Sequence, residues 1–317
     1  MKITILEPLA VKEDILRDIF KKLTDQGHTL EIYDSIAKDE KEQIERVKET
    51  DILVIANSPL GGDVIKSAKN LKMIAVAFTG FDHVDMEACK EKNILVSNAS
   101  GYANTAVAEL SVGMALELYR NIIAMDEKTR ELKTKVGYRF RELKGKVVGV
   151  IGTGAIGSET AKLFHAFGCD ILAYSNSENK EVLDLGGKYV NLEELLKSSD
   201  IVTVHLPYNK TTERLIGEKE FNLMKEDAVF INCARGQVVD NEALKNALNN
   251  DVIAGAGIDV FDKEPPLLEN DPVINSKNVL VTPHIGYFTE EAMISRAEIT
   301  VDNIDGFLNN KPVNVVS

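Results

Sequence analysis

Only three cysteines, Cys89, Cys169 and Cys233, occur in 317 residues, and they lie far apart. That spacing matches neither a metal-ligand cluster nor a disulfide framework, so no metal site is expected and the thiols suit a reducing compartment. Long apolar runs are missing too: nothing approaches the ~18 residues that a membrane helix needs. The opening Met1-Lys2-Ile3-Thr4-Ile5-Leu6-Glu7 has an apolar run too short for a signal peptide and reads as a strand, so a cytoplasmic location is expected. Positive charge is scarce. With 37 Lys and Arg against 50 Asp and Glu, the net charge of −13 argues against nucleic acid or an anionic membrane surface as the main partner. A small anionic ligand is not excluded, because it feels local groups at close range. Repeats, low-complexity tracts and Gly/Ser linkers are absent as well. What remains is an ordinary globular composition, 44% hydrophobic and 27% charged, with length for two domains at one per ~150 residues.

What is present is alternation. Strand-like runs alternate with amphipathic helical stretches from end to end, the pattern of α/β architecture. In the first hundred residues strands read at 3–6, 29–33, 52–56, 73–77 and 94–97, with helices near 11–26, 39–48, 63–68 and 83–92. A long helix follows over 104–121, with Ala106, Leu110, Met114 and Leu118 on one stripe. After a basic and polar stretch at 128–143, further strands read at 147–151, 170–174, 201–205, 228–232, 253–258 and 279–282. A last amphipathic helix spans 290–308.

The second set of strands opens on the most informative motif, Val147-Val148-Gly149-Val150-Ile151-Gly152-Thr153-Gly154-Ala155-Ile156-Gly157. It is a strand running straight into G-x-G-x-x-G. Gly152 permits the tight turn, Gly154 leaves room for a pyrophosphate against the backbone, and Gly157 lets the next helix pack on the strand. The helix starting at Ala155 turns free N–H groups and the positive end of its dipole toward the phosphates. Strand before, helix after and a second strand at βαβ distance make this a dinucleotide site rather than a glycine-rich turn.

Three later segments lie at carboxyl ends of predicted strands, where open α/β sheets bind ligands. In Asn232-Cys233-Ala234-Arg235-Gly236, Arg235 offers a planar fork of donors suited to a carboxylate and its neighbouring carbonyl. Alone, it also fits an exposed ion-pairing arginine. In Asp259-Val260-Phe261-Asp262-Lys263-Glu264-Pro265-Pro266, Glu264 can orient a histidine and Asp259 can accept from a nicotinamide carboxamide, though either also fits a loop carboxylate or cap. In Thr282-Pro283-His284-Ile285-Gly286, His284 sits in a stiff turn, and histidine as a residue type suits a proton donor to a carbonyl, yet a structural histidine would read the same.

Together these motifs, with Val204-His205-Leu206-Pro207 and Asn104-Thr105, resemble the D-isomer-specific 2-hydroxyacid dehydrogenase family, which includes glycerate, hydroxypyruvate, D-lactate and 3-phosphoglycerate dehydrogenases. Order and spacing agree: Glu264 lies 29 residues after Arg235 and His284 20 after Glu264. The resemblance covers essentially the whole chain. It implies two doubly wound parallel-sheet domains, a Rossmann cofactor domain (101–286) inserted in a smaller flavodoxin-like substrate domain (1–100 plus 287–317). It implies that Arg235 holds the substrate carboxylate and carbonyl, that His284 is the acid/base, and that ionised Glu264 favours its cationic form. Cofactor contacts are implied at Thr105, Gly152, Gly154, Ala155, Ile156, Gly157, Ser175, His205, Pro207, Thr212, Cys233, Ala234, Asp259 and Gly286. Backbone N–H groups at Thr79 and Gly80 are implied to bind the substrate carboxylate, while His83 reads as a surface helix residue. Glycines near 101 and 286 are expected to hinge a closure that brings Thr79 and Gly80 over Arg235 and His284. The 104–121 helix and the stretch after it look like the family's contact in a two-fold homodimer.

Two departures leave specificity open. NAD-specific members end the second Rossmann strand in an Asp that grips the ribose 2′-hydroxyl; here the position is Ser175, and no arginine follows to recruit NADP. Either cofactor is expected, with NAD slightly favoured because NADP needs positive charge. Phosphoglycerate members carry an arginine after the third strand, whereas the loop Ala56-Asn57-Ser58-Pro59-Leu60 has no cation and the long regulatory extension of some of them is missing. A small unphosphorylated 2-oxo acid such as hydroxypyruvate or glyoxylate is therefore expected. The alternatives are a phosphoglycerate dehydrogenase and a non-enzymatic dinucleotide-sensing protein resembling the C-terminal-binding corepressors.

Overall fold

The computed structural model describes residues 1–264 and 267–317, so the Pro265-Pro266 part of the third motif lies outside the described residues. The chain forms two compact units, one of Met1–Ala103 with Phe288–Ser317 and one of Asn104–Tyr287.

The first unit is built on a five-stranded parallel sheet. Its strands β1 (Lys2–Ile5), β2 (Thr29–Ile32), β3 (Ile52–Ile55), β4 (Met73–Val76) and β5 (Leu95–Asn98) lie in the order β2-β1-β3-β4-β5. That is the flavodoxin-like order. β3 and β4 are buried throughout, which is why they read as unbroken apolar runs rather than alternations. On one face lie Leu16, Phe20 and Leu23 with Ala297, Val301 and Ile304 of the C-terminal helix Glu290–Leu308; Val64, Ala88 and Cys89 cover the other. The last residues extend the fold: Ser97 bridges Val315 in antiparallel fashion and Val316 N–H donates to the Val96 carbonyl at 2.9 Å.

The second unit is built on a seven-stranded parallel sheet of β6 (Val147–Ile151), β7 (Asp170–Tyr174), β8 (Lys188–Tyr189), β9 (Ile201–Val204), β10 (Val229–Asn232), β11 (Gly255–Ile258) and β12 (Val279–Val281). The order β12-β11-β10-β9-β6-β7-β8 is the dinucleotide-binding order with one added strand. Both sheets therefore have the doubly wound architecture the sequence implied.

Four local expectations need correction. β8 is a two-residue strand too short to show a period, held on β7 by the Leu172–Lys188 and Ala173–Tyr189 pairs. The long helix ends at Arg120 because Asn121 adopts φ +50°, and a second helix, Ile122–Arg130, not expected from the sequence, runs into the start of the basic and polar stretch. The long helix buries a broader stripe than expected, with Val107, Ala108, Ser111, Val112, Ala115 and Tyr119 inside and Leu110 and Leu118 only partly covered. His83 is no helical surface residue: the helix begins at Met86, and the His83 ring hydrogen-bonds the Ala56 backbone with its Nε2 buried.

Candidate active site

The glycine motif performs three different tasks in the second unit. Gly152 adopts φ +92°, and a Cβ there would sit 2.8 Å from the His205 carbonyl. A Cβ on Gly157 would run into the Gly152 carbonyl, so the helix Ala155–Ala166 can approach β6 only at a glycine. A Cβ on Gly154 would meet nothing within 4 Å, which leaves open space beside the first turn of that helix. No side chain caps this helix N-terminus, and Ala155, Ile156 and Gly157 form its first turn. A cradle with strain at one glycine, contact at another and space at the third fits a dinucleotide pyrophosphate.

Neighbouring residues shape the rest of that edge. The Tyr189 hydroxyl donates to Thr153 Oγ1 at 2.8 Å and accepts from the Asn179 N–H at 2.7 Å, while Asn179 Nδ2 donates to the Thr153 carbonyl at 3.1 Å. This fastens the 175–179 loop, with Ser175 directly after β7, onto the glycine turn. Lys180 is committed to Asp184 at 2.6 Å. His205 follows β9, its Nε2 2.9 Å from Thr203 Oγ1; its Nδ1 is buried without a hydrogen-bond partner among the described residues, and burial pushes its pKa down to about 3, so the ring is neutral. Thr212 donates to the Pro207 carbonyl at 2.6 Å and accepts from Asn209 N–H at 2.9 Å, closing the turn that carries Pro207. Thr105 is exposed on the first turn of Asn104–Arg120.

At the end of β10, Asn232 was not singled out by sequence, although an asparagine at a strand end is a turn-former. Its Oδ1 accepts from Ala234 N–H and its Nδ2 donates to the Arg235 carbonyl, both at 3.0 Å. Cys233 is buried with Sγ 3.7 Å from Met114 Sδ, and burial raises its thiol to about 12, so it is no nucleophile. Arg235 is exposed; Nη1 donates to the Ala234 carbonyl at 2.7 Å, and no carboxylate pairs with it among the described residues. Gly236 lies so close to the Phe261–Asp262 backbone that any side chain there would overlap it.

That approach brings the acid/base pair alongside. His284 Nδ1 lies 2.6 Å from Glu264 Oε1, while Glu264 Oε2 accepts from Phe261 N–H at 3.3 Å. His284 adopts φ +53°, a left-handed conformation unusual outside glycine, asparagine and aspartate. Asp259 holds it there. The fully buried Asp259 carboxylate accepts from Thr282 Oγ1 at 2.5 Å and from the N–H groups of Ile285 and Gly286 at 2.8 Å each; the His284 N–H donates to the Asp259 carbonyl at 2.9 Å. Burial raises the Asp259 pKa, against the hydrogen bonds that lower it. The sequence gives Asp259 an expected nicotinamide contact; the structure shows that it builds this turn. A Cβ on Gly286 would come within 2.9 Å of Asp259 Oδ2, so glycine is needed there for closeness rather than for an unusual φ. Tyr287 packs edge-on against His284 at 5.4 Å.

In the first unit, Thr79 and Gly80 follow β4. Glu7, almost wholly buried after β1, accepts from the N–H groups of Ala56 at 2.8 Å and Ser58 at 3.1 Å and from the Ser58 hydroxyl. Leu60 N–H donates to the His83 carbonyl at 2.9 Å, tying the loops after β3 and β4 together.

In one unit, a glycine turn shaped for a dinucleotide, a histidine–carboxylate pair and an arginine with no ion-pair partner among the described residues fit a nicotinamide-dependent oxidoreductase. Comparison with known proteins gives the family. Residues 112–286 match the NAD binding domain of D-isomer specific 2-hydroxyacid dehydrogenases. The chain is 38% identical to a glyoxylate reductase of Thermococcus litoralis, over 86% of each. It is 37% identical to a D-3-phosphoglycerate dehydrogenase of Methanocaldococcus jannaschii over 96% of its own length but 58% of that longer protein. Among solved structures, an acyclic imino acid reductase in complex with NADPH and D-Arg matches over 100% of both chains with a TM-score of 0.85 and 30% identity. The chain belongs to the D-isomer specific 2-hydroxyacid dehydrogenase family and is an NAD(P)-dependent oxidoreductase of 2-hydroxy acids. No helix among the described residues is long and apolar enough to cross a membrane.

Proposed function

We propose that this enzyme reduces a small unphosphorylated 2-oxo acid, such as glyoxylate or hydroxypyruvate, to the D-2-hydroxy acid. The observation that carries the reading is the 2.6 Å His284–Glu264 pair in a turn clamped by Asp259. Bound NADH or NADPH supplies the hydride to the carbonyl carbon. As negative charge grows on the carbonyl oxygen, the Arg235 fork stabilises it and holds the adjoining carboxylate. His284 donates its proton to that oxygen, completing the hydroxyl, and Glu264 stabilises the cationic ring beforehand. In the oxidative direction neutral His284 takes the proton back. Thr79 and Gly80 are the backbone anchors for the carboxylate, the finer assignment resting on the resemblance.

The uncharged loop at residues 56–60 supports the unphosphorylated substrate, and Ser175, with Lys180 paired to Asp184, supports NAD slightly over NADP. The exposed side chains of Ile122, Ile123, Leu132 and Val136 favour a two-fold homodimer, and the low cysteine content favours a cytoplasmic setting. The test is a comparison of kcat/KM for glyoxylate, hydroxypyruvate and phosphohydroxypyruvate with each dinucleotide. Preference for the phosphorylated acid would transfer the reading to phosphoglycerate dehydrogenase; dinucleotide binding with no turnover would transfer it to a sensing protein.

A further inference from the structure

Three asparagines, two of them buried, close a hydrogen-bonded ring in the first unit. Asn98 ends β5, and its N–H donates to the Asn314 carbonyl at 3.1 Å. Asn314 Nδ2 donates to Asn303 Oδ1 at 2.8 Å, and Asn303 Nδ2 donates to the Asn98 carbonyl at 2.8 Å. Asn303 is 0% exposed on the C-terminal helix, Asn98 is 8% exposed, and Asn314 is held at φ +51°. The ring sends out one further bond: Asn98 Nδ2 donates to the Thr79 carbonyl at 2.7 Å.

Buried amides add little net stability over apolar groups of the same size, but they fix direction, because each unmade bond is costly. Here the direction has a consequence. In a trans peptide the carbonyl and the following N–H point opposite ways. With the Thr79 carbonyl drawn in to Asn98, the Gly80 N–H is turned to the other side. The Gly80 N–H has no partner within the chain among the described residues, and a Cβ at Gly80 would meet no atom nearer than Asp82 Oδ2 at 3.8 Å.

We propose that Asn98, braced by Asn303 and Asn314, is a positioning residue that aims the Gly80 N–H at the substrate carboxylate. This rests on the assignment of Thr79 and Gly80 as carboxylate anchors. Through Asn314 the ring ties substrate affinity to the C-terminal segment, and the defect it predicts is selective for the carboxylate.

Oxalate, a dianion resembling a 2-oxo acid, is the probe, with NADH affinity from fluorescence as the internal control. In Asn98→Leu, of similar size, the glyoxylate KM and the oxalate inhibition constant should rise together by about 3- to 10-fold, the ratio one neutral hydrogen bond is worth, with NADH affinity unchanged. Asn314→Gly keeps the left-handed backbone and loses only the amide, so it should show the same split more weakly and serves if Asn98→Leu does not fold. Gly80→Val fills the open space and tests the anchor itself. Unchanged oxalate inhibition in Gly80→Val would overturn the anchor and the proposal with it. Weakened inhibition in Gly80→Val with none in Asn98→Leu and Asn314→Gly would overturn the positioning role alone, as would a parallel loss of NADH affinity in those two variants.

Discussion

The carboxyl edges of the two parallel sheets are prepared for ligands by opposite means. In the second unit the edge is made approachable by removing side chains, at Gly152, Gly154 and Gly157. In the first it is held by adding buried polar ones, Glu7 under the 56–58 loop and Asn98 under Thr79. On the proposed function, the difference follows from what each edge would receive. A pyrophosphate needs room along several backbone atoms and a helix N-terminus. A small carboxylate needs one or two N–H groups aimed well, and aim comes from hydrogen bonds behind the loop.

Several substitutions would break or sharpen that contrast. The largest effect belongs to the chemical groups on the glycine side: Arg235→Lys keeps the charge but loses the fork, and kcat/KM should fall on the order of 10²-fold, as when one donor to a developing oxyanion is lost. Steady-state kinetics showing an unchanged value would make Arg235 a surface residue. Next, Gly154→Val should abolish tight NADH binding with little change in Tm, because its side chain enters open space. Retained affinity in a titration would mean that the space is not where the phosphates lie. On the other edge, Glu7→Gln replaces one acceptor oxygen by a donor facing N–H groups, at a cost of about 1–3 kcal/mol that a denaturation curve would detect. No loss of stability would make the Glu7 bonds incidental. Smallest is Ser175→Asp, which should shift the NADH:NADPH preference toward NADH through repulsion of a 2′-phosphate; a constant ratio would show that the loop is not at the ribose.

The same contrast explains what could be read from the sequence. Removing side chains leaves a local signature, so G-x-G-x-x-G, Arg235, Glu264 and His284 stood out, and unbroken apolar runs gave both sheets. Supports made of distant residues leave none: Glu7 bonds Ala56, 49 residues away, and Asn98, bonded to Thr79, is itself held by Asn303, 205 residues on. His83 was misplaced for that reason, since its burial depends on the loop after β3. β8 and the break at Asn121 were hidden because two residues have no period and one left-handed asparagine resembles any other polar residue. The left-handed φ of His284 and its clamp by Asp259 could be seen only in three dimensions.

On the proposed function, His284, held by Asp259 and paired with Glu264, delivers the proton to the reduced carbonyl. A single-turnover measurement of NADH oxidation by glyoxylate, in the wild-type protein and in His284→Ala, tests it most directly. NADH affinity should be equal in both proteins and oxidation slower in the variant by on the order of 10²–10⁴-fold. Comparable rates in a correctly folded His284→Ala protein would contradict it.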